Sequence, residues 1–557
     1  MRKIILSVIF ILLSLPISAQ ITSDQKVKID ALFKDANENT PGAAIGVIKD
    51  GKMIYSNGYG MADLEHDVKL SPKSVFYMAS VSKQFVTMAV LLLEEQGKLS
   101  LDDEVQKHLP DFPRYDSPLT IRHFIHHTSG VRDNLTLWNL AGRDIYDHVD
   151  KEAIYEMIKR QKELNFKPGE KYLYSNSCYF MLAMMIEKIS GMSIREFAEK
   201  NMFAPLVMKN THFHDDQYHI VKNRAFSYAP GKDGFRNLIM RYDLVGSGGL
   251  YSNVEDMLLW DQNFYNNKLG KGTPDLITKM NTDGKLNNGK SAGYAFGVQN
   301  GTYKGLKTVS HSGALAGYRT HYVRFPDQNF SVVVLGNTAN FRPEQKSYAI
   351  ADIMIYGDYK ASSQVDYGQR SDVFEPINLS GEELAKYSGS YWNNDDMESW
   401  GVFVKNGKLV AYVNGSIEIE MIPVGTNEFA GKNLPPGTRI KFEKADRGRH
   451  SFIFTQGGGS YNFAPYDPAT YSAKELEKLS GTYFSEELNV NYELKIESGK
   501  LNLYIADNKM SGLTPIMKNI FRGDEIGFVT FEMDESGAPS GFKLDAGRVR
   551  NLRFNRP

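Results

Sequence analysis

The chain has 557 residues, 42% hydrophobic and 24% charged, which is more than one hydrophobic core usually organises, so we expect several domains. Its formal net charge of −1 gives no basic excess of the kind that nucleic-acid binding needs. Cys178 is the single cysteine, which excludes an intrachain disulfide, and we expect it to be a small buried apolar side chain.

Residues 1–19 have the three parts of a secretory signal peptide. Arg2 and Lys3 precede an apolar run from Ile4 to Leu15, and Ile17-Ser18-Ala19 supplies the small residues of a cleavage site. No later apolar stretch reaches the roughly 18 residues that a membrane span needs. We therefore expect a periplasmic or secreted protein without a membrane span after cleavage.

Residues 20–359 mix helical and strand patterns and are predicted to form one domain. The segment "AAIGVIKDGKMIYSNGYG" from Ala43 has the alternation of a β-hairpin, and "THYVRFPDQNFSVVVLGN" from Thr320 has that of a strand pair. Between them lies an almost wholly apolar segment, Phe76–Leu99, which predicts a buried helix.

Ser80 and Lys83 are the residues of this predicted helix that could take part in catalysis. The spacing Ser-x-x-Lys places a hydroxyl and an ammonium on one helix face, about 5 to 6 Å apart at Cβ. A lysine in an apolar setting loses its proton more readily, so Lys83 is a candidate base for Ser80. The alternative is that Lys83 only extends its charged end to solvent.

The same spacing occurs at two other places that lack an apolar frame. Ser23 and Lys26 follow the signal cleavage site directly, and Ser540 and Lys543 lie in the turn-rich segment "ESGAPSGFK". We therefore prefer Ser80.

Three histidines in "IRHFIHHTSGV" have helical spacing, which could indicate a metal site. His123, His126 and His127 have no HExxH pattern and no cysteine cluster beside them. We predict neither a metal nor a cofactor.

The tripeptide Tyr-Ser-Asn occurs three times and could supply a second proton-handling group. The copy at residues 55–57 lies in the predicted hairpin, and the copy at 251–253 precedes a helix, with Ser252 and Glu255 in a capping-box pattern. Tyr174-Ser175-Asn176 follows the turn "FKPGEKY" and leads into an apolar helix, a common place for catalytic side chains. We prefer this third copy.

His311-Ser312-Gly313 ends a short predicted strand in "VSHSGALAGYRTHYVRF". Glycine in a strand permits close approach of another backbone, so this segment is a candidate wall for a cleft. His311 could instead be an ordinary strand histidine.

Beyond a polar segment at 360–375, which predicts a linker, an internal repeat begins. "LSGEELAKYSGSYW" from Leu379 resembles "YSAKELEKLSGTYF" from Tyr471, and glycine and phenylalanine positions continue in the same register, with 389, 407 and 429 matching 481, 499 and 521. Short alternating segments between glycine-containing turns predict two small antiparallel, barrel-like β modules, at 376–467 and 468–557.

In chain order, "SVSK" at Ser80, "HHTSGV" at His126, "YSN" at Tyr174, "GSGGLYSNVEDM" at Gly246 and "HSG" at His311 resemble the serine β-lactamase-related family. That family includes class C β-lactamases, D-alanyl-D-alanine carboxypeptidases, D-aminopeptidases and some esterases. The resemblance implies an α+β, penicillin-binding-protein-like domain, with an antiparallel sheet flanked by helices.

The resemblance also implies roles for particular residues. Ser80 would be the acylated nucleophile, Lys83 and Tyr174 would exchange its proton, and Asn176 would hold the substrate amide. His311 would lie beside the leaving group or a substrate carboxylate, with Ser312 and Gly313 in the same strand. The backbone N–H groups of Ser80 and Ala314 would form the oxyanion hole.

The third motif departs from β-lactamases, where lysine usually stands in place of His311. Histidine is only partly charged at pH 7 and attracts an anionic substrate less strongly than lysine does. The His-Ser-Gly form of this motif resembles the carboxypeptidases and D-aminopeptidases more than the β-lactamases. We expect a secreted serine hydrolase of peptides or amides that contain a D-amino acid. The alternatives are an esterase, a weak β-lactamase, or a non-catalytic receptor for peptides or β-lactams.

Overall fold

The computed structural model describes residues 21–356 and 376–557, apart from residues 416, 433, 435–437, 446–447, 457–458 and 525. The predicted signal peptide at 1–19 and linker at 360–375 lie outside the described residues. Both, and the domain boundaries drawn from them, stay predictions.

A six-stranded antiparallel sheet is the centre of the first domain. The strands of this domain are β1 (Ala43–Lys49), β2 (Lys52–Tyr59), β3 (Met61–Asp63), β4 (Val68–Lys69), β5 (Phe76–Tyr77), β6 (His212–Phe213), β7 (Tyr228–Gly231), β8 (Gly234–Asn237), β9 (Leu250–Ser252), β10 (Gln299–Tyr303), β11 (Leu306–Leu315), β12 (Tyr318–Phe325) and β13 (Phe330–Gly336). The order in the main sheet is β10-β11-β12-β13-β1-β2. The predicted hairpin is β1 with β2, and the predicted strand pair is β12 with β13, so both predictions are confirmed.

Helices cover both faces of this sheet, which explains why β13 and β1 are buried along almost their whole length. The α-helices of the domain are α1 (Ser23–Ala31), α2 (Lys83–Glu95), α3 (Val105–His108), α4 (Ile121–Ile125), α5 (Asn134–Leu140), α6 (Lys151–Lys159), α7 (Asn176–Ser190), α8 (Ile194–Ala198), α9 (Ala204–Leu206), α10 (Val254–Tyr265), α11 (Asp275–Met280) and α12 (Pro343–Ala351). Short 3₁₀ turns occur at Ala79–Ser82 and Pro326–Gln328, and π turns at Glu199–Phe203 and Asp352–Tyr356.

The two faces of β1 bury different side chains. Ile45 and Val47 pack in one apolar cluster with residues of α1 and α12. Ala44 and Ile48 belong to the cluster on the other face, which contains α2 and α10. None of the described helices is long and apolar enough to span a membrane.

The predicted helix over Phe76–Leu99 is wrong in its first turns. Phe76–Tyr77 is the strand β5, which pairs with β9, a 3₁₀ turn follows, and α2 begins only at Lys83 and ends at Glu95. Ala79 has a φ of +48°, a left-handed conformation that breaks a helix and is unusual for a residue with a side chain.

The start of α10 also differs from the prediction. Asn253, rather than Ser252, is the N-cap, and its side chain accepts a hydrogen bond from the Asp256 N–H. The Ser252 hydroxyl instead shares a hydrogen bond with Thr211, because Ser252 belongs to β9.

Two closed eight-stranded antiparallel barrels follow, which confirms the predicted β modules. The first contains β14 (Gly389–Asn393), β15 (Glu398–Lys405), β16 (Lys408–Val413), β17 (Ile417–Pro423), β18 (Glu428–Gly431), β19 (Arg439–Lys444), β20 (His450–Gln456) and β21 (Gly459–Tyr466). The second contains β22 (Gly481–Ser485), β23 (Val490–Glu497), β24 (Lys500–Ile505), β25 (Asn508–Met517), β26 (Ile520–Gly523), β27 (Gly527–Met533), β28 (Pro539–Ala546) and β29 (Val549–Asn555).

A short capped helix precedes each barrel, and the two helices are equivalent in the repeat. They are α13 (Gly381–Ala385) and α14 (Ala473–Leu479), each opened by a serine–glutamate capping box. The internal repeat is therefore present in the structure as well as in the sequence.

The second barrel packs directly on the first domain. Its interior and the domain core belong to one continuous apolar cluster, and the Tyr492 hydroxyl donates to the Leu140 carbonyl at 2.6 Å. A buried ion pair joins Arg132 of the domain to Glu487 of the barrel. The first barrel has a core of its own and meets the second through Trp392, which contacts Phe528.

The Arg132–Glu487 pair predicts a large and local stability effect. Glu487→Gln leaves the buried Arg132 without its counter-charge, so the free energy of unfolding should fall by about 3 kcal/mol, measured by urea denaturation. The neighbouring Glu486→Gln is the control, because Glu486 is 66% exposed in its pair with Lys162 and should cost less than about 0.5 kcal/mol. Equal effects of the two substitutions would contradict the prediction.

Candidate active site

Ser80 lies on the 3₁₀ turn between β5 and α2, and this turn is held from several sides. The Thr320 hydroxyl of β12 donates to the Met78 carbonyl at 2.9 Å, and the Ser82 hydroxyl donates to the Ala79 carbonyl at 2.6 Å. These bonds compensate for the left-handed backbone at Ala79. The Ser80 side chain therefore projects from a rigid element into a cleft.

Lys83 is fully buried at the start of α2, and three oxygen atoms surround its amine. The distances from Nζ are 3.2 Å to Ser80 Oγ, 3.0 Å to Asn176 Oδ1 and 2.6 Å to the Ser247 carbonyl. Burial lowers the pKa of Lys83 well below its ordinary value, and the positive charge of Arg548 acts in the same direction. A neutral amine can donate to Asn176 and Ser247 and accept the proton of the Ser80 hydroxyl.

Asn176, the first residue of α7, is oriented by Asp133. One carboxylate oxygen of Asp133 accepts from the Asn176 backbone N–H at 2.7 Å and from its Nδ2 at 2.9 Å. This contact directs the amide oxygen of Asn176 toward Lys83. Asp133 is 1% exposed, so its hydrogen bonds to Asn176 are shielded from solvent.

Tyr174 lies directly before this helix, with its hydroxyl buried next to Ser80. Burial raises the pKa of the Tyr174 phenol, and the Ser80 hydroxyl and the Arg548 charge oppose that rise. The hydroxyl has no hydrogen-bond partner among the described residues. The Lys83 amine lies 4.7 Å from the centre of the tyrosine ring, so the phenol faces both members of the Ser-Lys pair.

His311 on β11 is held as a neutral imidazole with a defined tautomer. Its Nδ1–H donates to the Ser312 carbonyl at 2.6 Å, and its Nε2 accepts from the Tyr294 hydroxyl at 2.8 Å. Burial lowers the pKa of His311 to about 3. His311 therefore brings no positive charge to the cleft at neutral pH.

The strand carrying His311 approaches the Ser80 turn closely. A Cβ atom at Gly313 would lie 2.4 Å from the Met78 carbonyl oxygen, so only glycine permits this approach. Ser312 and Ala314, on either side of Gly313, both line the cleft that contains Ser80.

The cleft has a volume of about 300 Å³ and brings most of the predicted residues together. Of the residues proposed from the sequence, those that line it are Ser80, Tyr174, Asn176, His311, Ser312 and Ala314. Lys83 and Gly313 lie directly behind this surface and contact it.

The other copies of the motifs lie elsewhere and have ordinary structural contacts. Ser23 is exposed at the start of α1, and the Ser540 hydroxyl donates to the Glu532 carbonyl within the second barrel. Tyr55 on β2 donates to Asp30, and Tyr251 on β9 packs against Tyr77.

The histidines of "IRHFIHHTSGV" do not converge on one point. His123 caps its own helix, whereas His126 Nδ1–H donates to the Tyr294 carbonyl and His127 Nδ1 accepts from the Ser175 N–H. Among the described residues, the group with metal-ligand spacing is instead Asp63, Glu65 and His66. No cleft-lining residue belongs to it.

Four residues of the site were not predicted from the sequence. Asp133 and Tyr294 orient Asn176 and His311, the Ser247 carbonyl accepts from Lys83, and Arg548 of the second barrel lines the cleft. Ser247 lies in a quoted motif, "GSGGLYSNVEDM". The other three are ordinary residue types whose importance comes only from the distant parts of the chain they meet.

Comparison with known proteins identifies the family of this chain. The sequence model of the Beta-lactamase family matches residues 29–354, more than half of the chain. This chain belongs to the Beta-lactamase family. Penicillin-binding protein 4* of Bacillus subtilis (strain 168) is 29% identical over 435 residues, which cover 73% of this chain and 91% of that protein.

Two further relatives bear on activity and fold. A D-aminopeptidase of Gluconobacter oxydans (strain 621H) is 26% identical over 350 residues, covering 63% of this chain and 64% of that protein. The octameric penicillin-binding protein homologue from Pyrococcus abyssi superposes with a TM-score of 0.53 at 23% identity, covering 79% of this chain and 98% of that one. Family membership and the D-aminopeptidase support a hydrolase, and the solved structure supports the penicillin-binding-protein-like fold.

The environment of His311 predicts an unusual titration. We expect its imidazole to stay neutral, with the proton on Nδ1, until the pH nears its pKa of about 3. An unfolded histidine has a pKa near 6.5, so between these two values the unfolded chain binds the additional proton. This group's contribution to folding stability is therefore lost as the pH falls from 6.5 toward 3.

Side-chain ¹⁵N shifts of histidine-labelled protein would measure this titration, with His311→Gln used for assignment. His66 is an internal control, because the neighbouring Asp63 carboxylate raises the pKa of this exposed histidine above its ordinary value. A His311 signal that titrates near 6.5 would show that the imidazole is not held as described.

Proposed function

We propose that this chain is a secreted serine hydrolase that cleaves peptides or amides containing a D-amino acid through an acyl-enzyme. The observation that carries the proposal is the Ser80–Lys83 contact of 3.2 Å, made by a buried lysine whose pKa is lowered. Export is inferred from residues 1–19 alone. Preference for a D-residue is inferred from the D-aminopeptidase relative.

In the first half of the reaction, the neutral Lys83 amine accepts the Ser80 proton as Oγ attacks the substrate carbonyl carbon. The negative charge that develops on the carbonyl oxygen is stabilised by the backbone N–H groups of Ser80 and Ala314. Asn176 has a second Nδ2 hydrogen, beyond the one it donates to Asp133, which can bind the substrate amide.

Collapse of the tetrahedral intermediate then breaks the C–N bond. Tyr174 donates its phenolic proton to the leaving amine, and Lys83 returns a proton to the tyrosine. The raised pKa of Tyr174 suits a group that stays protonated at rest and donates when needed. Water hydrolyses the resulting Ser80 ester by the same proton transfers in reverse.

The assignment of the nucleophile is tested by replacing each serine of the three Ser-x-x-Lys motifs. Ser80→Ala should abolish both turnover of D-peptides and covalent labelling by a fluorophosphonate probe, because no acyl acceptor remains. Intact-protein mass spectrometry reads the adduct directly. Ser23→Ala and Ser540→Ala should label as the wild type does, and an adduct that survives on Ser80→Ala would overturn the assignment.

The role of Tyr174 is tested by Tyr174→Phe, which removes only the hydroxyl. The rate of Ser80 acylation should fall by roughly 10² to 10⁴, the range for loss of a general acid–base group. Tyr55→Phe and Tyr251→Phe are matched controls from the other two Tyr-Ser-Asn sequences and should acylate at about the wild-type rate. Slow acylation in Tyr251→Phe with normal acylation in Tyr174→Phe would reverse the choice.

A further inference from the structure

The tip of one hairpin of the second barrel reaches the cleft. β28 and β29 are joined by the two residues Gly547 and Arg548, and Gly547 has the positive φ (+54°) that such tight turns favour. The Arg548 carbonyl accepts from Asn165 Nδ2 at 3.0 Å and from the Asp133 N–H at 3.4 Å. The turn is therefore anchored to the first domain by its backbone.

The side chain of Arg548 extends from this turn over the active site. Its guanidinium carbon lies 4.7 Å from the ring centre of Tyr174, a stacking distance typical of arginine on an aromatic face. The side chain is 44% exposed, and its one ion-pair contact among the described residues is a long one, 3.8 Å to Asp133. That carboxylate oxygen already accepts two hydrogen bonds from Asn176.

Arg548 is left with free hydrogen-bonding capacity. Within the described part of the chain, its guanidinium donates no hydrogen bond to another residue, although arginine has five N–H donors in a planar fork that fits a carboxylate.

The cleft has no competing positive charge at its surface. His311 is neutral at pH 7, and Lys83 lies beneath the surface with its amine directed at three protein oxygens. Of the side chains that line the cleft in the described residues, Arg548 is the one with a permanent charge. It faces the pocket where Ser80 and Tyr174 meet.

We propose that Arg548, supplied by the second barrel, binds a carboxylate of the substrate and so determines specificity. The inference rests on the proposed function and refines it: the preferred substrate has a free carboxylate close to the scissile amide, as a C-terminal D-residue has. A substrate with a free α-ammonium in the same place is repelled. The barrel is then part of the substrate-binding site.

The test is a matched pair of compounds, N-acetyl-D-alanyl-D-alanine and its C-terminal amide. The wild type should prefer the free acid, and in Arg548→Gln the acid-to-amide ratio of kcat/KM should fall about 10- to 100-fold, the loss of a charge-assisted hydrogen bond. Arg548→Lys should keep part of the ratio. Arg556→Gln is the control and should keep all of it, because the Arg556 guanidinium donates to the Lys478 and Ser480 carbonyls within the second barrel and does not line the cleft.

A purely structural role for Arg548 has a different signature. If the guanidinium only balanced Asp133, its loss would disturb Asn176 and slow both compounds equally, and the ratio would stay at the wild-type value. That result would overturn the proposal. The ratio also cancels any difference in the fraction of folded enzyme.

Binding to Ser80→Ala separates this inference from the proposed function. Calorimetry would measure the affinity of the acid and the amide for Ser80→Ala with Arg548 intact or replaced by glutamine. If the wild type hydrolyses neither compound, the proposed hydrolysis of D-peptides is wrong. An acid preference in binding that disappears with Arg548 still supports the carboxylate site, and equal affinity for acid and amide overturns it.

Discussion

The burial of one amine, that of Lys83, is the constraint on which the rest of the site depends. An ammonium taken out of water must be neutralised or surrounded by acceptors, and here Ser80, Asn176 and the Ser247 carbonyl surround it. These oxygens come from three separate elements, so the lysine determines how those elements meet. The same burial lowers its pKa, which is the property that a base toward a serine hydroxyl needs.

The segment 130–134 connects this site to the second barrel through two adjacent residues of opposite charge. Asp133 faces inward and orients Asn176, whereas Arg132 faces the barrel, pairs with Glu487 and donates to the Arg550 and Asn551 carbonyls. A buried charge without its partner is costly, so the Arg132–Glu487 pair fixes the position of the second barrel relative to the first domain. That position places the β28–β29 turn at the cleft.

The two barrels show how a repeat can diverge in use while keeping its fold. Both keep the capped helix and eight closed strands, and closure removes the exposed strand edges that promote aggregation. The interior of the second is continuous with the core of the first domain, but the first barrel has a separate core.

The sequence by itself determined the strand pairs, the internal repeat, and the Ser-Lys and Tyr-Ser-Asn motifs. Each of these depends on the spacing of residues that are close together in the chain, and the regular geometry of helices and strands relates that spacing directly to structure. It failed at the turn before Lys83, where pairing of β5 with β9 overrides an apolar, helix-like pattern. Only the tertiary structure decided that Asp133, Tyr294 and Arg548 belong to the site. Arg548 is hundreds of residues from Ser80 along the chain, and no local pattern encodes a contact that exists only after two domains have packed together.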